Sequence, residues 1–309
     1  MADLLIVSDD QRFREGITLG LGAYVIWGLV TLFWKELTDF QASELIGWRI
    51  VMSFLTLALV LWRSGRARAV VRSVLARESR ALVLVAAVAV LVNWSSYILA
   101  VVHDHLIEAA LGYFLSPLGT VLLGVLVMGE HLRPPQYAII GLAGTAIAVI
   151  TISYGHVPWI ALLIASSWST YSLVKRRLTV AAVESLGMEM VVLVIPALII
   201  VAAHLGAADG VVHSAGIKEW IFVVLTGPVT VIPLWMFGAA AQRLPMTQLG
   251  PLQYVVPVIN FLLGWLVYDE SVAATTFVGF GLIWVALVVL GIDLARATRP
   301  RKTLISQGN

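Results

Sequence analysis

The sequence predicts an all-α membrane protein with ten transmembrane helices, arranged as two inverted repeats of five helices. Three observations support this fold class: the apolar composition, ten apolar segments of bilayer-spanning length, and an internal repeat. The 309 residues are 60% hydrophobic and 12% charged, with a mean hydropathy of +0.94. Soluble domains are about 25% charged, and a soluble fold of this composition would expose large apolar patches.

Ten segments have the roughly 17–25 apolar residues that a helix needs to cross the hydrocarbon core. They are 16–35, 44–62, 81–102, 107–128, 136–153, 158–174, 185–205, 218–238, 246–268 and 274–293. A membrane β-barrel would show segments of alternating hydropathy, whereas these runs are apolar on all sides. The connections 129–135 and 154–157 are short, so the helices that they join are expected to be antiparallel neighbours.

The basic residues predict the orientation. Of the 20 lysines and arginines, Arg49 lies inside a predicted helix. If the N-terminus is cytoplasmic, 17 of the others lie on the cytoplasmic side, and only Lys35 and Lys218 lie outside. This asymmetry is typical of an inner-membrane protein with both termini in the cytoplasm. It also explains the pI near 9.0 without a nucleic-acid partner.

An internal repeat is visible at two closely related offsets. At 140 residues Pro117 matches Pro257 and Glu130 matches Glu270, and at 141 residues the tryptophans at 27 and 94 match those at 168 and 235. Because each repeat contains an odd number of helices, the second repeat is predicted to be inverted in the membrane relative to the first, as in many secondary transporters. The predicted domains are a cytoplasmic tail 1–15, a first repeat 16–153, a second repeat 158–293 and a cytoplasmic tail 294–309.

One arginine is the main candidate for solute binding. An intramembrane arginine costs about 3 kcal/mol on insertion scales, so Arg49 is predicted to face a cavity as a solute-binding or gating residue. In the alternative interpretation, its side chain reaches the outer headgroups near Glu44.

Two carboxylates and two prolines are further candidates. Glu108 and Glu189 could couple transport to protons, although Glu108 could instead stabilise the start of its own helix. Pro117 and Pro257 each remove a backbone hydrogen bond and are predicted to kink their helices along the pathway. The alternative is an inherited packing kink.

Polar and aromatic residues within the spans are predicted to line a cavity for an amphipathic solute. For each of them, a hydrogen bond between helices is the alternative. These candidates are Trp27, Asn93, Trp94, Tyr97, Tyr113, Ser116, Tyr171, Gln253, Tyr254 and Asn260.

Signals for enzymes, cofactors and metals are missing from the sequence. The chain has no cysteine, which excludes disulfides and thiolate metal sites. His103 and His105 cannot share a helix face, which argues against a metal site. Neither the P-loop pattern nor HExxH occurs, so we expect no ATP hydrolysis, no enzyme activity, no cofactor and no metal.

Several strings resemble those of a known family. They are GAYVIWG (22–28), NW (93–94), EAALGYFLSPL (108–118), GEHLR (129–133), IPLWMFGAAAQRL (232–244) and TQLGPLQYVVPVINFLLGWLVYDE (247–270). The chain resembles the RarD branch of the EamA family, within the drug/metabolite transporter (DMT) superfamily. The resemblance implies a ten-helix, inverted-repeat exporter with a central cavity. Three positions depart from the family pattern: Trp48 replaces a histidine, Ser116 an asparagine and Met190 a threonine.

Two functions are therefore weighed. The first is a secondary transporter that exports a small organic metabolite or drug-like solute by alternating access, with protons as the candidate coupling ion. The alternative is a non-transporting membrane protein that handles lipid or acts as a structural partner. An accessible polar cavity would favour the first function, and a packed core with a lipid-facing groove the second.

The predicted topology can be tested with reporter fusions. A reporter at the C-terminus should be cytoplasmic, and a reporter inserted near Asp209 should be external. An external C-terminus would contradict the count of ten helices.

Overall fold

The computed structural model describes residues 9–68, 70, 77–102, 106–154, 157–267 and six positions between 281 and 292. This part of the chain is helical and contains no strand. Its α-helices are α1 (Asp9–Trp34), α2 (Ala42–Arg63), α3 (Arg77–Val102), α4 (Leu106–Met128), α5 (Pro134–Tyr154), α6 (Trp159–Arg177), α7 (Ala182–His204), α8 (Val211–Ser214), α9 (Ile217–Ala241), α10 (Met246–Leu252) and α11 (Val255–Leu266). Six of the described helices are long and apolar enough to cross a membrane.

The long helices alternate in direction, which gives the bundle two ends. We call the end where α1 begins the N-terminal end and the opposite end the distal end. At the N-terminal end, Arg243 Nε lies 3.5 Å from a carboxylate oxygen of Glu15. At the distal end, Lys218 Nζ lies 2.7 Å from a carboxylate oxygen of Glu36. Contacts between residues far apart in sequence therefore connect the helices at both ends.

The two halves of the chain interlock through equivalent contacts. α1 packs against α9, α10 and α11, and α6 packs in the corresponding way against α3 and α4. α2 and α7 pack against each other through glycines. A Cβ added to Gly47 would lie 2.9 Å from Val201 of α7, and one added to Gly187 would lie 2.8 Å from Leu61 of α2. The close approach of these two helices therefore depends on a glycine in each.

The helix bounds differ from two of the predictions. α1 already begins at Asp9, so residues 9–15 are helical and not a tail. The predicted span 246–268 is two helices, because Pro257 has no N–H to bond the carbonyl of Gln253 four residues earlier. That carbonyl accepts instead from the N–H of Val256 at 3.2 Å, which tightens the turn.

Pro117, by contrast, lies within a continuous α4, so the two matched prolines occupy different local structures. Most of the predicted span 274–293, the tail 294–309 and Glu270 lie outside the described residues.

A carboxylate at the N-terminal end holds α10 in place. The two oxygens of Glu130 accept hydrogen bonds from the N–H groups of Met246 and Thr247, each at 2.8 Å. Gln136, in the first turn of α5, donates to the carbonyl of Thr247 at 3.2 Å. Pro251 cannot donate to that carbonyl because it lacks an N–H. Side chains around the α4–α5 connection thus satisfy backbone groups of α10 that its own helix leaves open.

We therefore expect Glu130→Ala to lower the thermal stability of the protein in detergent. Loss of two partly buried hydrogen bonds to one carboxylate should cost roughly 1–3 kcal/mol. Thermal unfolding of the purified protein checks this, with the exposed Asp209→Ala as control. An unchanged melting temperature for Glu130→Ala would contradict the role given to this carboxylate.

Candidate functional site

Arg49 lies within the bundle and is held by neutral groups. It is the eighth residue of α2, about 10 Å from the distal start of the helix. Its Nε donates to the hydroxyl of Thr230 in α9 at 2.9 Å. The guanidinium carbon lies 4.3 Å from the ring centroid of Trp94 and 5.6 Å from that of Trp34. Cation–π contacts of this kind stabilise a partly desolvated arginine without neutralising it.

Two tyrosines connect Arg49 to accessible surface. Tyr97 and Tyr113 lie near the guanidinium, and their rings lie 6.1 Å apart. Each of these tyrosines is 41% exposed. We call Arg49, Thr230, Trp34, Trp94, Tyr97 and Tyr113 together the arginine site. It combines a fixed cation, two indole faces and two phenol hydroxyls, and it is reachable from outside the packed core.

Glu44, which the sequence placed near Arg49, bonds elsewhere. Its carboxylate accepts from the N–H of Val211 at 3.0 and 3.2 Å, and from the indole N–H of Trp48 at 3.2 Å. Among the described residues, no carboxylate lies within ion-pair distance of Arg49. The positive charge of Arg49 is therefore not balanced by this part of the chain.

A second charged group lies towards the N-terminal end. Glu189, the eighth residue of α7, forms an ion pair with Lys175 of α6, and neither side chain is exposed. The hydroxyl of Ser185 connects them, at 2.7 Å from Lys175 Nζ and 2.8 Å from the carboxylate. Tyr171 donates its hydroxyl to the other carboxylate oxygen at 3.0 Å. We call these four residues the ion-pair site.

The burial of Lys175 corrects the sequence interpretation, which placed it with the cytoplasmic loop residues. Lys175 ends the apolar part of α6 and is followed by Arg176 and Arg177, so the three together look like a typical loop signal. Only the folded chain shows that the first of them turns inward to Glu189. Thr230 and Ser185 were also missed, because single hydroxyls within apolar helices are common.

Five aromatic residues lie between the two charged sites, and we call them the aromatic cluster. They are Tyr24, Trp27, Trp168, Tyr171 and Phe237. Phe237 is in the centre, with ring-centroid distances of 5.0 Å to Trp168 and 5.8 Å to both Trp27 and Tyr171. Trp27 and Trp168, the matched tryptophans of the repeat, are themselves 5.4 Å apart. The repeat therefore brings equivalent residues together at the middle of the bundle.

The cluster separates the arginine site from the N-terminal end. In α9, Thr230 bonds Arg49, and Phe237 follows seven residues later, about 10 Å further along the helix. Tyr171 belongs to the cluster through its ring and to the ion-pair site through its hydroxyl. The N-terminal half of the bundle is therefore closed behind the arginine site by packed aromatic rings and a buried ion pair.

The remaining candidates mostly connect helices. Glu108 accepts from the N–H of Ile160 at 3.0 Å and so satisfies the start of α6, a different helix from its own. The other bonds are Asn93 to the carbonyl of Ile164 (3.0 Å), Ser116 to the carbonyl of Gly112 (2.8 Å), Gln253 to the hydroxyl of Thr120 (2.9 Å), Tyr254 to the carbonyl of Phe114 (3.4 Å), and Thr31 to the amide oxygen of Asn260 (3.0 Å). A role of these residues in solute binding stays a prediction.

Two grooves in the described part of the chain are lined by other residues than the two charged ones. One, of about 410 Å³, lies between apolar residues of α3 and the hydroxyls of Ser166, Ser167 and Thr170 in α6. The other, of about 170 Å³, lies between α2 and α7. Neither is lined by Arg49 or Glu189.

The two charged sites occupy equivalent positions in the repeat. Both charged residues are the eighth of their helix, near opposite ends of the bundle. The offset of 140 residues that matches the prolines also aligns the surrounding sequence. The aligned pairs are Glu44 with Glu184, Gly47 with Gly187, and Arg49 with Glu189. Extending the repeat to this helix pair would have revealed the relation from sequence.

Known proteins similar to this chain agree with this architecture. The model of the EamA-like transporter family matches twice, at residues 14–152 and 157–292. Protein RarD of Streptomyces exfoliatus is 42% identical, covering 94% of this chain and 92% of the relative. Protein RarD of Escherichia coli is 32% identical, covering 92% of this chain and 96% of the relative. The uncharacterized transporter YojE of Bacillus subtilis is also 32% identical, covering 94% of this chain and 98% of the relative.

A solved structure shares the fold. It covers 92% of this chain and 99% of its own, with a TM-score of 0.72 at 20% identity. Together with the two matches to one family model and the full-length relatives, this similarity establishes a multi-pass membrane protein of transporter type. The chain belongs to the EamA-like transporter family, in the branch of the RarD proteins.

Proposed function

We propose that this protein is a secondary transporter, not an enzyme, and that it exports small organic anions with an apolar or aromatic part. The observation that carries the proposal is Arg49, a cation inside the bundle without a carboxylate partner among the described residues. The transporter names of its relatives support the general class.

The chemistry of the arginine site favours an anion. A buried charge is costly unless it is paired, and charges within membrane helices mark pathways for ions and solutes. A carboxylate or sulfonate on the solute would supply the missing counter-charge and match the planar fork of the guanidinium. Trp34 and Trp94 would pack against an apolar part of the same solute.

The two unequal ends support alternating access. The arginine site is accessible, whereas the aromatic cluster and the ion-pair site close the N-terminal half. Inverted repeats can exchange their conformations, so that the closed half opens as the open half closes. In this proposal the described conformation is open towards the distal end.

The orientation defines the two sides of the membrane between which the proposed export takes place. We place the N-terminal end in the cytoplasm of the cell, at the inner membrane, because the sequence predicts that 17 of the 20 basic residues lie on that side. Exclusion of the buried Lys175 from this set does not change the asymmetry. The distal end would then release the solute outside.

One observation favours the lipid-handling alternative. The groove between α3 and α6 is mostly apolar and lies on the outside of the bundle, where an acyl chain could bind. A protein of this kind would need no flux of water-soluble solutes.

Flux in proteoliposomes distinguishes the two functions. Benzenesulfonate, benzenesulfonamide and benzyltrimethylammonium share one ring and differ in permanent charge. We expect protein-dependent flux of the anion only. Equal flux of all three would contradict the anion preference, and no flux of any would contradict the transport proposal.

We expect the apparent affinity for benzenesulfonate to decrease from wild type to Arg49→Lys to Arg49→Ala. Arg49→Lys keeps the charge but loses the planar fork of donors. Arg49→Ala loses both, and its affinity should be lower than that of wild type by roughly tenfold or more. Thr230→Val, which removes only the hydroxyl that accepts from Arg49, should fall between wild type and Arg49→Ala. If Arg49 only reaches towards headgroups, Lys should equal Arg at the same protein yield.

Proton coupling is assigned to Glu189 and tested beside Glu108. Glu189 faces Lys175 and two hydroxyls, so its protonation would release an ion pair. Glu108 accepts a backbone N–H, which an amide oxygen can also do. We therefore expect Glu189→Gln to abolish stimulation by a pH gradient while exchange persists, and Glu108→Gln to keep both.

The stability of Glu189→Gln needs its own control, because removing one partner of a buried ion pair costs about 3–5 kcal/mol. The variant Lys175→Gln with Glu189→Gln leaves no uncompensated charge, so its melting temperature should lie closer to that of the parent than the melting temperature of Glu189→Gln does. Full stimulation in Glu189→Gln would exclude this residue as the coupling group.

A further inference from the structure

The repeat relates the partners of the two charged sites as well as the charges. The offset of 141 residues that pairs Trp27 with Trp168 also pairs Trp34 with Lys175. Trp34 contacts Arg49, and Lys175 contacts the counterpart of Arg49, which is Glu189. In both repeats, a residue near the end of the first helix therefore contacts the eighth residue of the second helix. The two sites are versions of one structural position, near opposite ends of the bundle.

The ion-pair site contains more polar groups than would be needed only to keep the N-terminal half of the bundle closed. Two hydroxyls and two charges are buried without exposure, although an apolar cluster of similar volume is often as stable as a buried ion pair. The hydroxyl of Tyr24 in the adjacent aromatic cluster is also buried and has no hydrogen-bond partner among the described residues. Tyr24 lies about one helical turn from Trp27 towards the N-terminal end, with its ring centroid 6.1 Å from that of Phe237.

We infer that Lys175 is a second binding site for the anionic group of the solute, and that Glu189 occupies it in this conformation. The inference rests on the proposed function. When the N-terminal half opens, a carboxylate or sulfonate from that side replaces the Glu189 carboxylate beside Lys175 and Ser185. The hydroxyl of Tyr24 is a further buried donor, in the aromatic cluster that the solute passes next. The solute then moves past the aromatic cluster to Arg49.

This assignment gives each end of the pathway one cation. At the distal end the cation is Arg49, which takes its counter-charge from the solute. At the N-terminal end it is Lys175, which takes its counter-charge from Glu189 until the solute arrives. The internal carboxylate thus imitates the anionic group of the solute when the site is closed.

A single thiol can report on this site because the chain has no cysteine of its own. A Cβ at Gly238 would lie 3.7 Å from Lys175 Cε and 3.5 Å from the Cβ of Ala182, which are ordinary contacts. Gly238→Cys therefore places a thiol-bearing side chain beside the lysine, with its Cβ at ordinary contact distances. Asp209→Cys, at the exposed distal end, is the matched control.

The experiment measures the rate at which a thiol reagent labels each cysteine, with and without benzenesulfonate. We expect benzenesulfonate to slow labelling of Gly238→Cys and to leave Asp209→Cys unchanged. In the background Lys175→Met with Glu189→Met, which keeps an apolar pair in place of the ion pair, the protection should disappear. The apparent affinity for benzenesulfonate should fall roughly tenfold or more in this double variant, because a charge-assisted hydrogen bond to the solute is lost.

Transport by the same variants separates this inference from the proposed function. The methionine pair should reduce benzenesulfonate flux at least about tenfold while the protein remains folded, and Lys175→Arg should keep most of it. Flux at the parental rate in the methionine pair, or equal protection with and without Lys175, would overturn the second site and leave the transporter proposal intact. Absence of flux in the parent protein would overturn the transporter proposal itself.

Discussion

A charged side chain inside an apolar bundle must find its partners within the protein or its ligand, and this constraint organises the structure. Glu44, Glu108 and Glu130 each accept hydrogen bonds from backbone N–H groups at the start of another helix. Lys175 is neutralised by Glu189. These carboxylates connect helices that are distant in sequence. Arg49 differs from them, because its contacts within the described chain are a hydroxyl and aromatic rings.

The difference between Arg49 and the other charged residues is informative because the two repeats place Arg49 and Glu189 at equivalent positions. Two interlocked halves with equivalent packing could have carried equivalent polar groups, yet one half has arginine where the other has glutamate. The half with glutamate also has a lysine at the first-helix position where the other half has Trp34. One site is therefore complete by itself and buried, and the other is incomplete and accessible. In the proposed transport cycle, the complete site belongs to the closed end and the incomplete site to the open end.

Much of this arrangement was predictable from sequence, because composition and periodicity determine which segments are helical and the repeat determines how they pair. Arg49, Trp94, Tyr97 and Tyr113 were each predicted as cavity residues, and they do come together. Lys175 was missed because its basic neighbours resemble a loop signal. Side-chain direction at a helix end depends on tertiary contacts that a hydropathy pattern does not contain. The break before Val255 was missed for a related reason, since the prolines could also have remained inside one helix, as Pro117 does.

The account is tested most directly by an experimental structure of the protein with bound benzenesulfonate. It predicts a sulfonate within hydrogen-bonding distance of the Arg49 guanidinium, with the ring near Trp94 or Trp34, and the ion pair of Lys175 and Glu189 intact whenever the distal end is open. A sulfonate bound far from both Arg49 and Lys175, or Arg49 paired with a carboxylate of the protein when no solute is bound, would contradict it.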